Sequence, residues 1–167
     1  DNPSLMDNGN RDTAQIKALI PFLKGTGKVG FDVNTERGIR DAIKFSKKYG
    51  LKPIIFFGAE AYKAADVLVS EKIPVVLLPP AGGCPGDASR VNEYDPVESL
   101  FVGATLLHQA GVKFCFGSFD SALAKLLSTR IGITCAYGLP HDSALRAATL
   151  DAAEILGIND IVYGLDT

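Results

Sequence analysis

This sequence has little of several features on which specialised classes of protein depend. Among its 167 residues, 17 Lys and Arg face 19 Asp and Glu, so no positive surplus neutralises phosphates and nucleic-acid binding is not expected. No apolar run approaches the roughly 18 residues that a membrane-spanning helix needs, so no membrane association is expected either. No signal peptide is visible, but the chain reads as mid-protein from its first residues, so this absence says little about targeting. The compartment stays open, and for a soluble protein the cytoplasm is slightly favoured over the periplasm or secretion.

Cysteine and histidine are also scarce. The three cysteines, Cys84, Cys115 and Cys135, are odd in number and widely spaced, a pattern that predicts neither a disulfide framework nor a zinc knuckle. We expect ordinary buried or loop thiols. The two histidines are both predicted to be structural, His108 at the edge of a buried helix face and His141 at a helix start.

What the chain does contain is an alternation of apolar strands and amphipathic helices. Residues 1–12 are polar and predict a flexible tail, and residues 13–167 predict a single α/β domain. Strands that are apolar throughout indicate a parallel sheet covered on both faces. Predicted strands are Val29–Val33, Pro53–Phe57, Ile73–Leu78 and Val112–Phe116; predicted helices include Gln15–Lys24, Pro96–Ala110, Ser121–Thr129 and Ser143–Leu156. Thr35 is predicted to cap the helix that follows the first strand, and Gly50 to end it.

Two architectures satisfy this pattern. A complete (β/α)8 barrel needs about 250 residues, so the chain is too short for one and long enough for half. Half a barrel has its helices on one face of the sheet, whereas a doubly wound sheet has them on both. Strand order distinguishes the two, because it is sequential in the half barrel and switched in the doubly wound sheet.

Three stretches resemble the C-terminal half of amidohydrolase-superfamily proteins, especially the imidazolonepropionase-related branch. They are GKVGFDVNTERGI at 27–39, the two-strand segment 51–80, and the pair of segments 110–121 and 138–157. The resemblance implies a partial TIM-type barrel of four sequential parallel strands, corresponding to strands five to eight. It also implies a parent protein that hydrolyses C–N bonds in non-peptide amides with zinc or another divalent metal.

The resemblance also points to candidate site residues. The metal-binding His at the end of the family's fifth strand aligns with Asp32, and Asn34 lies just beyond it. Glu60 follows the second strand of this chain, where a carboxylate in the first turn of a helix is the simpler interpretation. Asp120 matches the family's aspartate that acts as ligand and general base, with Ser118 before it. One extra residue between Ser118 and Asp120 leaves two alternatives, in which the carboxylate is turned out of the site or caps a helix.

The metal ligands that the family requires are mostly missing. Asp32 and Asp120 are weak candidate ligands, and the family's HxH pair belongs to a half of the barrel that this chain does not contain. A metal lowers the pKa of bound water from about 15.7 to about 7, and carboxylates as general bases recover only about 10²–10⁴-fold. We therefore predict no cofactor for this chain and no activity on its own. The complete protein is either a metal-poor relative used for binding or structure, or has a one-metal site completed by Asp120.

A hypothesis of another class is a free-standing doubly wound domain that binds a small molecule or signals, with Asp32 as its functional acid. If the chain is instead a half barrel, both edge strands, Val29–Val33 and Val112–Phe116, are open. They would pair with the missing half or with a second copy. Among the glycine-rich segments, 24–28 precedes a strand and so is not a phosphate loop, while 81–87 is a substrate-side loop or a plain connector.

Overall fold

A computed structural model describes residues 10–80, 95–96 and 98–158 of the chain. Four strands form one parallel sheet: β1 (Lys28–Val33), β2 (Lys52–Phe57), β3 (Val75–Leu77) and β4 (Phe114–Phe116). A short 3-10 helix, Ala61–Ala64, precedes α3. The α-helices are α1 (Asn10–Leu23), α2 (Glu36–Tyr49), α3 (Ala65–Ser70), α4 (Ser99–Ala110), α5 (Ser121–Ala124), α6 (Leu127–Ala136), α7 (His141–Ala148) and α8 (Leu150–Leu156).

The strands are hydrogen-bonded in the order β1-β2-β3-β4. Lys28 pairs with Lys52, Ile55 with Val75, and Val75 with Phe114, and all three pairings are parallel. A doubly wound sheet reverses direction at a switch point, and this order has none. The half-barrel prediction is therefore confirmed as the fold, and the doubly wound alternative is wrong.

The two faces of the sheet have different partners. The face we call outer carries the main core, in which Ile55, Val75 and Phe114 pack against residues from α2, α3, α4, α6 and α7. The inner face carries a small second cluster in which Ile54, Val76 and Cys115 pack against Ile155 of α8. Helices collected on one face are the arrangement of a barrel wall, and among the described helices α8 is the one that packs on the inner cluster.

Local sequence signals explain the best predicted helix, α2. Thr35 precedes it with an extended backbone, and its hydroxyl accepts a hydrogen bond from the Gly38 amide at 3.1 Å. Gly50 ends the helix in the left-handed conformation, with φ at 66°, which a glycine adopts without steric cost. Ile39 and Ile43 form the buried side of this helix. The capping residue and the stop residue predicted from sequence are both confirmed.

Several predicted boundaries are wrong. Helix α1 begins at Asn10, inside the predicted tail of residues 1–12, and α4 begins at Ser99 rather than at Pro96. The predicted helix Ser121–Thr129 is two helices, α5 and the longer α6. The predicted helix Ser143–Leu156 begins at His141 and is interrupted at Thr149, whose φ of −127° and ψ of −87° are not helical.

The interruption at Thr149 also changes which side chains are buried. One continuous helix would bury Leu145, but Leu145 is exposed and Ala144 and Ala147 face the outer core instead. The break redirects the chain so that α8 crosses to the inner face, where Ile155 is buried. Apolar periodicity detected the helical segments, but a turn between two faces of a sheet leaves no periodic signal.

Apolar surface remains uncovered at the start of the described chain. Five large apolar side chains of α1 are exposed, namely Ile16, Leu19, Ile20, Phe22 and Leu23. In the described ranges, β1 and β4 each have a neighbouring strand on one side only. No helix in this part of the chain has the length and apolar character needed to cross a membrane.

Candidate functional site

The four strands end together at one side of the sheet, which we call the carboxyl edge and define as residues 32–35, 57–60, 78–80 and 117–120. Active sites of β/α barrels are built at this edge because its loops converge there while the strands hold them in place. All five predicted site residues, Asp32, Asn34, Glu60, Ser118 and Asp120, lie on it. The fold therefore brings these five residues to one edge, where their contacts differ from one residue to the next.

Asp32 is the carboxylate nearest the inner face. Side chains of β1 alternate, and Phe31 and Val33 pack into the outer core, so Asp32 and Gly30 face the inner side. Asp32 is exposed, and no hydrogen bond or ion pair joins its carboxylate to another described residue. Its register partner on β2 is Phe56. Asp32 does not cap the following helix, because Thr35 performs that role.

Asn34 and Glu60 tie the first two loops of the edge together. The Asn34 carbonyl accepts from the Glu60 amide at 2.8 Å, and its side-chain oxygen accepts from the Ala59 amide at 3.3 Å. The buried Glu60 carboxylate accepts from the Glu36 amide, at the start of α2, at 2.7 Å. Glu60 was predicted to meet the dipole of its own helix, but it meets the dipole of the neighbouring helix α2.

A lysine connects the Glu60 carboxylate to a third segment of the chain. Lys63 Nζ lies 2.9 Å from Glu60 Oε1 and 2.6 Å from Asp95 Oδ2. The hydrogen bond to Asp95 is the largest cause of a raised pKa of Lys63, and the one to Glu60 is the next largest. Because the polar atoms of Asn34 and Glu60 are engaged within the protein, their observed contacts are those of residues that position loops.

Asp120 begins α5 as its N-cap. Its Oδ1 accepts hydrogen bonds from the amides of Ala122 at 2.6 Å and Leu123 at 3.3 Å. The backbone of Asp120 is extended, as an N-cap requires. Capping was one of the two alternatives raised by the extra residue after Ser118, and that residue, Phe119, has a left-handed backbone with φ at 55°. Oδ2 of Asp120 has no hydrogen bond within the described residues.

Sequence reasoning missed an aromatic cluster at the same edge. The rings of Phe57 and Phe119 stack with centroids 4.0 Å apart, and the Phe56 ring meets Phe119 edge-on at 5.8 Å. Phe57 and Phe119 both have positive φ, at 70° and 55°. Bulky residues rarely adopt this conformation, and strained residues of this kind gather at functional sites. In sequence Phe56 and Phe57 look like ordinary strand residues and Phe119 falls in the segment between a strand and a helix, so no local signal could have revealed the cluster.

A buried arginine lies behind the third loop. Arg130 on α6 donates from Nε to the carbonyl of Pro80 at 3.3 Å. Burial lowers the pKa of Arg130, and its Nη1 has no partner within the described ranges. The predicted substrate-side loop at 81–87, with Cys84, lies outside those ranges.

The ligands in this part of the chain do not form a metal centre. Zinc sites use three or four protein ligands, and residues 10–80, 95–96 and 98–158 contain no group of three or more His, Cys, Asp or Glu that could hold a metal ion. His108 is exposed near the end of α4, and His141 is the first residue of α7. The donors in these ranges alone do not make up a zinc site.

Similar solved structures bear on the fold. An amidohydrolase from Thermotoga maritima MSB8 has a TM-score of 0.74 and 22% identity, over 87% of this chain and 37% of that chain. A second structure described as an amidohydrolase has a TM-score of 0.62 and 22% identity, over 91% and 38% of the two chains. This chain has the fold of part of an amidohydrolase. It spans less than two fifths of the length of these two amidohydrolases.

A further solved structure is similar at a lower TM-score. A Xaa-Pro dipeptidase with methionine bound in its active site has a TM-score of 0.56 and 16% identity, over 94% of this chain and 49% of that chain. No protein-family model matches the sequence, and no curated protein matches it. The expected likeness to amidohydrolases is confirmed at the level of fold. The imidazolonepropionase-related branch and the assignment to strands five to eight stay predictions.

Proposed function

We propose that this chain is one wall of an amidohydrolase-superfamily barrel, of the imidazolonepropionase-related branch, and supplies its strands five to eight. The complete protein then hydrolyses C–N bonds in non-peptide amides, and this chain alone is inactive. The observation that carries the proposal is the sequential parallel strand order with helices on one face, matched over 87% of the chain by an amidohydrolase.

The uncovered surfaces support a barrel completed from elsewhere. Strands β1 and β4 have one neighbour each in the described chain, and an open edge invites another strand. Leu19 and Leu23 of α1 are 57% and 61% exposed, which leaves apolar area for a partner element to bury. The remaining strands come either from other parts of the same polypeptide or from a second chain.

The available donors support inactivity of the isolated chain. A divalent metal, when bound, would ionise water at neutral pH, but Asp32 lies in the edge strand β1 and Asp120 in the segment after the opposite edge strand β4, with no third ligand among the described residues. Within the complete site, Asp120 would act as general base through Oδ2, because Oδ1 is held by two amides. Asp32, Asn34, Glu60 and Ser118 would line the substrate side.

Metal analysis of the protein with its complete barrel tests this proposal. We expect close to one zinc or iron per barrel, cleavage of simple amides, and loss of both on Asp120→Ala but not on Asp142→Ala, an exposed carboxylate at the start of α7. A complete barrel that binds no metal and cleaves no amide would instead support a metal-poor relative used for binding or structure.

Self-association is the second candidate for completing the sheet, and the same open edges favour it. In that case we expect the isolated chain to elute as a dimer at high concentration. Strictly monomeric elution would exclude this route and leave completion to a different segment.

A further inference from the structure

The inner side of the carboxyl edge is covered by aromatic rings and glycines. A Cβ on Gly30 would lie 2.5 Å from the ring of Phe56, so this ring occupies the space that any larger residue at position 30 would fill. A Cβ on Gly117 would lie 2.9 Å from Val76 Cγ1 and 3.2 Å from the ring of Phe119. Glycine at position 30 therefore lets the Phe56 ring lie close against β1, and glycine at position 117, just after β4, leaves room for both Val76 and the Phe119 ring.

The left-handed backbone extends this aromatic surface. Phe57 would face the outer core if β2 continued its alternation, but its φ of 70° turns the ring to stack on Phe119. Phe119 keeps 38% of its surface exposed despite two ring contacts. We call Phe56, Phe57 and Phe119 the aromatic floor. Its strained backbone is stabilised by ring contacts that leave an apolar surface open to solvent.

A carboxylate borders the aromatic floor. Asp32 and Phe56 are direct register partners on neighbouring strands and face the same side, so their Cα atoms are about 5 Å apart. No lysine, arginine or amide within the described residues neutralises Asp32. The other carboxylates of the edge differ from it, since Glu60 is paired with Lys63 and Asp120 caps α5.

We propose that the aromatic floor and Asp32 form a binding site for a small organic cation carried on a flat apolar body, such as an amidinium, a guanidinium or a protonated amine. Aromatic faces attract such cations through their quadrupoles, and a carboxylate accepts charge-assisted hydrogen bonds from them. This site adds a substrate class to the proposed function, and it rests on that function only because the carboxyl edge is taken as the substrate side. In this site Asp32 contacts the substrate and does not bind a metal.

Benzamidine is the probe for this site, with benzamide as its neutral isostere and benzoate as its anionic one. Binding to the protein that contains the whole chain is measured by calorimetry or by ¹⁹F NMR of fluorophenylalanine. We expect benzamidine to bind about fivefold more tightly than benzamide and benzoate not to bind. Raising the salt concentration weakens benzamidine only, because screening acts on charge.

Variants separate the two parts of the site. Asp32→Asn is expected to weaken benzamidine about fivefold without affecting benzamide, while Asp142→Asn changes neither. Phe119→Leu keeps apolar bulk and is expected to weaken both ligands about threefold to fivefold. Phe101→Leu is its control, because Phe101 stacks on Tyr137 on the outer layer.

Three results would overturn the proposal. They are no benzamidine binding at millimolar concentration, binding unchanged in both Asp32→Asn and Phe119→Leu, and displacement of benzamidine by zinc through Asp32. None of these measurements depends on hydrolysis, so their failure leaves the proposed function standing. Failure of the complete barrel to cleave amides would in turn leave this binding site standing.

Discussion

The two ends of the sheet are built in opposite ways. At the amino end, α8 closes the sheet. Lys28, at the start of β1, donates to the carbonyls of Glu154 and Ile155, and Lys113, before β4, pairs with Asp151 and Glu154. The hydrogen bond from Lys113 is the largest cause of a lowered pKa of Glu154, and Arg146 is a smaller cause. At the carboxyl end, Asp32 stands without such a partner in the described chain.

The two ends differ in how their charged groups are paired. At the amino end, lysines bind acceptors on the neighbouring helix α8, and Ile155 is buried. The carboxyl end retains the exposed carboxylate of Asp32 and two phenylalanines with left-handed backbones. In β/α barrels the amino-terminal face serves stability and the carboxyl-terminal face serves chemistry. Substitutions at the two ends should therefore have different consequences.

The largest expected effect is at the amino end. Ile155→Ala should lower the free energy of unfolding by about 3 kcal/mol, because it opens a cavity beside Ile54, Val76 and Cys115. Leu156→Ala, at a neighbouring position that is 52% exposed, should change it by less than about 0.5 kcal/mol. Urea unfolding measures both. Equal effects would show that α8 does not close the inner face.

The second largest effect is at the carboxyl end, where the Glu60 carboxylate has a structural role. Glu60→Ala should cost about 2 kcal/mol, since it removes a buried acceptor from the start of α2 and one partner of Lys63. Glu71→Ala removes a more exposed ion pair with Lys47 and should cost at most about 0.5 kcal/mol. Chemical denaturation compares the two variants. A negligible cost for Glu60→Ala would show that the Glu60 carboxylate does not hold the start of α2 and Lys63 in place.

Asp120 gives a smaller effect that separates capping from catalysis. Asp120→Ala should cost about 1 kcal/mol through loss of the α5 cap, and Asp120→Ser should restore most of that stability. Serine caps the helix but supplies no carboxylate. If the complete barrel loses hydrolysis in both variants while only alanine loses stability, Asp120 has two roles. Unchanged stability in both would refute the capping role.

The smallest expected effect concerns the strained aromatic floor. Phe119→Ala and Phe119→Gly both remove the ring stack, but only glycine relaxes the left-handed backbone at φ of 55°. Phe119→Gly should therefore be more stable than Phe119→Ala by about 0.5 kcal/mol, the reverse of the usual order, because the greater entropy that glycine loses on folding offsets part of the relieved strain. Thermal unfolding of the two variants decides this. A more stable alanine variant would show that the positive φ does not persist.

How far the sequence predicts this molecule depends on the range of the interactions involved. Strands that are apolar throughout and the local caps at Thr35 and Gly50 were predicted, because their causes lie within a few residues. The sequence does not decide between a sequential and a switched strand order, because strands that pair are far apart along the chain. The turn at Thr149, which carries α8 to the inner face, was missed for the same reason.

The site divides in the same way. The helix cap at Asp120 was foreseen as an alternative because one inserted residue displaces the carboxylate along the chain. The partner of Glu60 was not foreseen, because the Glu36 amide belongs to a different helix that only the folded sheet brings near. The aromatic floor depends on positive φ at Phe57 and Phe119 and on space above Gly30 and Gly117. No propensity of phenylalanine indicates either condition.

The most direct test of the central claim is metal analysis of the purified 167-residue chain, together with an assay for amide cleavage. A barrel wall without a complete ligand set is expected to retain far less than one zinc or iron per chain after dialysis and to leave amides intact. One tightly held metal ion per chain, accompanied by amide hydrolysis, would contradict that account.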